Sequence, residues 1–370
     1  MALLPDKPKS QTVEAIYSFW KNTRQDKPRG YLGGSVIGRE CERQLWYGFR
    51  WATGGEAFDG RMLRLFDRGQ REEAVFVNEL RAIGCEVYDV DPATGAQFNF
   101  KAVSGHAGGS MDGVVRGIPE APKAFHVAEF KTHNAKSFAL LQKDGVAKAK
   151  PEHYAQMTIY MKWSQLDRAL YLAVNKDTDE LYAERIHYDE AEAERLEAKA
   201  ERVIFAPEPP QGISNDPAFY KCKFCPASAV CHTTSLPAVS CRTCLHATPE
   251  KDGDGRWSCA KGFVQEHEDQ LPPTIPLDVQ RVGCPHHLYI PKLLSKWGEA
   301  TDADGPGDSW VEYTAADGFV FRNGPRGVAS FESTELAVAS PAQIRDEELN
   351  KVRLAFAGRF IEHVEMGVAA

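Results

Sequence analysis

The chain has 370 residues, enough for one large core with small appended modules, and its apolar (43 %) and charged (26 %) fractions are those of an ordinary globular protein. A net charge of −8 argues against a protein that coats nucleic acid nonspecifically, but leaves room for a local basic groove. No apolar run approaches the roughly 20 residues that span a bilayer, and MALLPDKPKS lacks a signal-peptide core, so a cytoplasmic protein with no membrane partner is expected.

Taken in order, residues 11–22 and 39–50 read as short helices. Residues 61–83 read as a long helix that stops at Gly84. Strand-like runs follow in CEVYDV, in residues 97–103, in SMDGVVRG and in AFHVAEFKT. A helix is expected at 151–163, with Pro151 suited to its first turn, then strands at 168–175 and 180–187 and an Ala/Glu-rich helix at 189–205. From Lys221 to about Pro291 the chain is cysteine- and turn-rich. The tail reads as a hairpin, WVEYTAADGFVFRNG, and a helix at 342–365. This order predicts a mixed α/β (α+β) fold, a sheet flanked by helices, with domains at 1–235, 236–295 and 296–370. No phosphate loop of an ATP motor is present.

Two strands carry the chemistry. GGSMDG places Asp112 at a strand entry, and in HVAEFKT Glu129 and Lys131 alternate, so both project from one face with Phe130 opposite. Paired carboxylates on neighbouring strands can hold a hard cation such as magnesium or manganese, and a lysine beside it can orient the attacking water. In RGQREEAV, Glu72 or Glu73 could reach the same ion. Gly69, four residues before Glu73, is expected to let helix and sheet approach. Arg61, Arg64, Arg68 and Arg71 share one helical face that could track phosphates. On YAQMTIYMKW, Gln156 and Tyr160 stand one turn apart and could contact a nucleotide or orient a water. Lys136, Lys143, Lys148 and Lys150 read as a flexible basic loop suited to a DNA backbone.

Nine cysteines in a reducing compartment point to metal sites rather than disulfides. CKFCPASAVC gives Cys222, Cys225 and Cys231, and Cys41 is the candidate fourth ligand. Four thiolates suit zinc or an iron–sulfur cluster alike. SCRTC gives Cys241 and Cys244, with Cys259 and Cys284 following. These suggest a zinc-ribbon-like module in which His246, His286 or His287 could replace one cysteine. Cys85 reads as a small buried hydrophobe.

The segments GQREE, GGSMDG, AEFKT and QMTIY, in that order within residues 30–235, resemble the RecB-like branch of the PD-(D/E)xK nucleases. The resemblance implies an αβββαβ core in which Asp112, Glu129, the Phe130 carbonyl and Glu73 bind metal. Lys131 would assist the nucleophile, and Gln156 and Tyr160 form the Gln-x-x-x-Tyr helix. Glu73 stands where many relatives have histidine. One distant cysteine plus a trio resembles the iron–sulfur members of that branch, among them AddB-type subunits and the CRISPR-associated adaptation exonucleases, which implies a 4Fe–4S cluster. The expected function is therefore a DNA exonuclease working on single strands or duplex ends, alone or with a helicase or recombination protein. The alternatives are a nucleic-acid-binding protein with little catalysis and a redox iron–sulfur protein.

Overall fold

The computed structural model describes residues 10–23, 29–53, 58–262, 274–305, 309–356 and 358. Helix α1 (Gln11–Thr23) precedes a two-residue strand, β1 (Leu32–Gly33), and the buried helix α2 (Glu42–Phe49), which starts on Cys41 as N-cap. Helix α3 (Gly60–Ala82) is capped by the Asp59 carboxylate, which accepts from the Met62 amide at 2.7 Å. Strand β2 (Glu86–Tyr88) follows, then the short strands β3 (Asn99–Ala102) and β4 (Ala107–Ser110), and β5 (Gly113–Arg116) and β6 (Phe125–His133). Two helices, α4 (Ala135–Ala149) and α5 (Pro151–Ser164), cross over to β7 (Arg168–Asn175), which pairs with β8 (Leu181–His187) before α6 (Glu190–Phe205).

The main sheet has the order β2-β5-β6-β7-β8, antiparallel except for the parallel pair β6–β7 that the helical crossover requires. The mixed α/β fold expected from the sequence is present, with the helix–three strands–helix–strand order as α3, β2, β5, β6, α5 and β7. A small sheet, β1-β4-β3, is inserted after β2. Both faces of β6 and β7 are covered. Val127, Ala169, Tyr171 and Ala173 belong to the main core, whereas Ala128, Phe130, Leu170 and Val174 pack with Phe76, Val77 and Leu80 of α3. Cys85 is buried in this second cluster, as a small hydrophobe should be.

The cysteine-rich part holds the short helices α7 (Tyr220–Lys223) and α8 (Ser228–His232) and a hairpin of β9 (Ala247–Pro249) and β10 (Trp257–Cys259). The tail is more than a hairpin. Strands β11 (Glu299–Ala303), β12 (Val311–Thr314), β13 (Val320–Asn323) and β14 (Ser330–Phe331) form a four-stranded sheet, followed by α9 (Ser333–Leu336). The single helix expected at 342–365 is instead α10 (Pro341–Arg345) and α11 (Glu347–Ala355). Asp346, extended between them, caps the second through the Leu349 amide. The rest of that segment lies outside the described residues, apart from Phe356 and Gly358.

One apolar cluster runs from Leu32 to Ile344, across the boundaries expected at 235/236 and 295/296. Arg242, between the cysteines of SCRTC, fastens the cysteine-rich part to the main core. It is buried, donates to the carbonyls of Phe49 (2.8 Å) and Gly30 (2.7 Å), and lies over the rings of Trp51 and Trp257. Arg50 answers from the other side, donating to the carbonyls of Arg242 and Ala247.

Candidate active site

Asp112 ends the turn before β5, and its Oδ2 accepts from the Phe130 amide of the adjacent β6 at 2.8 Å. This bond ties the two strands together where the carboxylates meet. Glu129 is fully buried. Its Oε2 accepts from Gln156 Nε2 of α5 at 3.0 Å, and its Oε1 is ion-paired with Lys131. Lys131, about a quarter exposed, also donates to the Phe130 carbonyl at 3.1 Å. Strand alternation therefore holds: Glu129 and Lys131 share a face, and the Phe130 ring stacks on Phe76 in the opposite core, 5.3 Å between centroids.

Burial pushes the Glu129 carboxyl up to about 7. Lys131 pulls it down, and Asp112 and Glu73 raise it further. Glu73 is likewise pushed up to about 7, by burial first and the Asp112 charge second, against Lys131. Burial acts to lower the Lys131 pKa, but Glu129 and Asp112 outweigh it, so the net direction is upward and the ammonium is firmly charged. Glu129 and Lys131 both feel the charge of Glu73.

Gln156 grips Glu129 through its Nε2. Tyr160 is buried beside Phe100 and Trp163. Its ring sits against Gly34 and Gly109, where any Cβ would collide with it. Those two glycines form the seat of Tyr160, and nothing in their local sequence announces it. Burial, then the charges of Glu129 and Asp112, raise the phenol pKa.

Two expectations are corrected. The lysine segment is helix α4, not a loop. Asn134 caps it through the Ser137 amide, and Phe138, Leu141 and Val146 bury one side. Lys136, Lys143 and Lys148 are exposed on it, Lys148 paired to Asp144, while Lys150 is half-buried and donates to Ser137. Gly69 does not bring helix and sheet together, since a Cβ there would meet nothing within 4 Å. The arginine face is exposed as expected: Arg71 pairs with Asp67, and Arg68 donates to the Lys176 carbonyl.

Cys41, Cys222, Cys225 and Cys231 line one cavity of about 410 Å³. Burial raises the Cys222 and Cys225 thiols, and neighbouring cysteines raise them further, as happens when anionic sulfurs converge. Cys241, Cys244, Cys259 and Cys284 surround a much smaller space of about 20 Å³ with His246, His286 and His287. Burial pushes Cys241 to about 11 and Cys244 to about 12, with Cys259 and Cys284 adding to both. Among the described residues, no group of three or more His, Cys, Asp or Glu is drawn in closely enough to hold a metal ion as it stands. The donor sets nevertheless fit. Soft thiolates suit iron or zinc, and at the acidic site the Lys131 ammonium already bridges two oxygens, the Glu129 carboxylate and the Phe130 carbonyl.

No protein-family model matches the chain, and no curated protein matches it. Solved structures are similar to parts of it. The crystal structure of SSO0001 matches at TM-score 0.37 and 15 % identity, covering 60 % of this chain and 96 % of that one. An alkaline exonuclease from Laribacter hongkongensis, LHK-Exo, matches at TM-score 0.35 and 18 % identity over 50 % of this chain and 90 % of its own. The same exonuclease in complex with dAMP matches at TM-score 0.34 and 16 % identity over 51 % and 90 %. Likenesses this distant decide neither family nor activity. No helix among the described residues is long and apolar enough to cross a membrane.

Proposed function

We propose that the chain is a nuclease, dependent on magnesium or manganese, that cuts phosphodiester bonds in DNA. The observation that carries this reading is Lys131, an ammonium held between Glu129 and the Phe130 carbonyl, with Asp112 accepting from the Phe130 amide and Glu73 within electrostatic reach. A fully buried carboxylate costs several kcal/mol unless a cation completes it, and the Lys131 ammonium takes that place at Glu129.

Glu73, Asp112, Glu129 and the Phe130 carbonyl would hold the ion, which when bound would polarise the scissile phosphodiester and acidify the attacking water. The protein's own residues do the rest. Gln156 fixes one oxygen of Glu129, leaving the other directed at Lys131. Lys131 would supply a fixed positive charge for the negative charge developing on the phosphoryl oxygens. The exposed Arg61 and Arg64 would follow the DNA backbone toward the site. Cys41 with Cys222, Cys225 and Cys231 would hold a 4Fe–4S cluster as a clasp, and the second cysteine set would hold zinc in the ribbon-like hairpin. The reading extends to an exonuclease on single strands or duplex ends, working beside a helicase or recombination protein.

Cleavage of a labelled oligonucleotide in manganese tests the reading. Asp112→Ala and Lys131→Met should each lower the rate by roughly 10²–10³. Equal cleavage by wild type and Asp112→Ala overturns it.

A further inference from the structure

Beside the acidic residues, α3 and the end of β6 enclose a cleft of about 340 Å³. Glu73 and Lys131 both line it. Leu65 and Phe66 give it an apolar wall backed by the buried Phe76, and Gln70, Glu72, Thr132 and Lys176 give it polar groups. The volume is that of a small-molecule site, and an apolar wall with a few polar groups is the usual composition of one.

Gly69 also lines this cleft. It sits in the interior of a 23-residue helix, where glycine is about 0.5–1 kcal/mol less favourable than alanine. Glycine is usually tolerated there because something packs against it. Here a Cβ would meet nothing within 4 Å, and the backbone is helical, so neither packing nor conformation requires it. The space that Gly69 leaves open is the cleft itself.

Lys176 approaches from the turn after β7. Its backbone is held at both ends: its amide donates to the His133 carbonyl at 2.9 Å, and its own carbonyl accepts from Arg68 at 3.2 Å. Among the described residues, no carboxylate is ion-paired with its ammonium. A half-buried lysine with a fixed backbone and, among the described residues, no carboxylate paired to it, lining the same cleft as Lys131, is placed to meet an anion.

We propose that this cleft seats the nucleoside next to the phosphate being cut, with its sugar and base against Leu65 and Phe66 and a phosphate on Lys176. The proposal rests on the nuclease reading for the position of the cut, but the cleft can be tested by itself. Thymidine 5′-monophosphate is titrated calorimetrically into the full chain in calcium, for wild type, Gly69→Leu and Lys176→Met, with thermal midpoints measured alongside. Wild type should bind. Gly69→Leu fills the cleft and Lys176→Met removes its cation, so each should weaken binding at least tenfold. Each should also raise KM for oligonucleotide cleavage in manganese. Gly69→Leu should hold or raise the thermal midpoint, separating a blocked cleft from a damaged fold. Unchanged affinity in both variants, or no binding by wild type, overturns the proposal. If Asp112→Ala abolishes cleavage while both cleft variants keep the wild-type KM, the subsite fails and the nuclease reading stands. If cleavage survives Asp112→Ala, the nuclease reading fails, and thymidine monophosphate binding alone decides the cleft.

Discussion

Gln156 Nε2 donates to Glu129 Oε2 at 3.0 Å across the gap between α5 and β6, and both residues are buried. The amide fixes one carboxylate oxygen and so determines where the other points. Gln156→Ala removes that grip without touching the cation or the DNA. Cleavage should lose about tenfold in kcat with KM nearly unchanged, and urea unfolding should show a loss of ~1.5–3 kcal/mol, the usual value of a hydrogen bond to a charged group. A KM effect with kcat intact would place Gln156 on the substrate instead.

Cation binding should depend steeply on pH. Glu73 and Glu129, both pushed up to about 7, must lose their protons to become ligands. Their folded values lie above the unfolded ones. Their protonation therefore stabilises the metal-free fold at pH below about 4.5, and that stabilisation is lost as pH rises through 7. Manganese should reverse the trend by binding the deprotonated form. The rise in thermal midpoint that manganese produces should be larger at pH 8 than at pH 6, and it should vanish in Asp112→Ala. An equal rise at both pH values would remove the two glutamates from the ligand set.

The exposed arginines of α3 should differ in weight. Arg71 is paired to Asp67, and Arg68 is engaged with the Lys176 carbonyl, whereas among the described residues Arg61 and Arg64 have no such carboxylate or carbonyl in reach. Replacing Arg61 and Arg64 together by glutamine should weaken DNA binding and make the slope of log K against log salt shallower, by roughly 0.7–0.9 for each phosphate left without its cation. Arg71→Gln should change it little. Fluorescence anisotropy across a salt series reads both.

The first cysteine set should colour the protein. Anaerobically purified wild type is expected to show a visible charge-transfer band that Cys41→Ala loses, since zinc thiolates are colourless. Metal analysis of the same samples should find iron lost in Cys41→Ala and zinc retained, because the second set is separate. Zinc in both places and no visible band would exclude the cluster.

Much of this was legible because it rested on periodicity. The long helix expected at 61–83 is Gly60–Ala82, and the strand expected at 168–175 is found there. The shared face of Glu129 and Lys131 follows from strand alternation. What escaped depended on tertiary partners. Helix α4 was hidden because Gly145, at φ +71°, breaks its pattern, and the following amide of Val146 is satisfied by Glu184, 38 residues away. The two-residue β1 is a strand only through its pairing with β4. The seat of Tyr160 on Gly34 and Gly109, and the reach of Arg242 to Gly30, join positions that no local window contains.

Helix α2 also bears on when the protein can assemble. Its first cap is Cys41, and two of the carbonyls that receive Arg50 just beyond its end lie 192 and 197 residues later. At roughly 5–20 residues per second, a ribosome takes on the order of 10–40 s to supply them. Throughout that interval Trp46, Tyr47 and Phe49, all buried in the finished protein, have emerged without their late partners. Yield in the cell should therefore be sensitive to translation speed and to chaperones that shelter aromatic segments, with premature termination before Ala247 leaving an aggregation-prone stub.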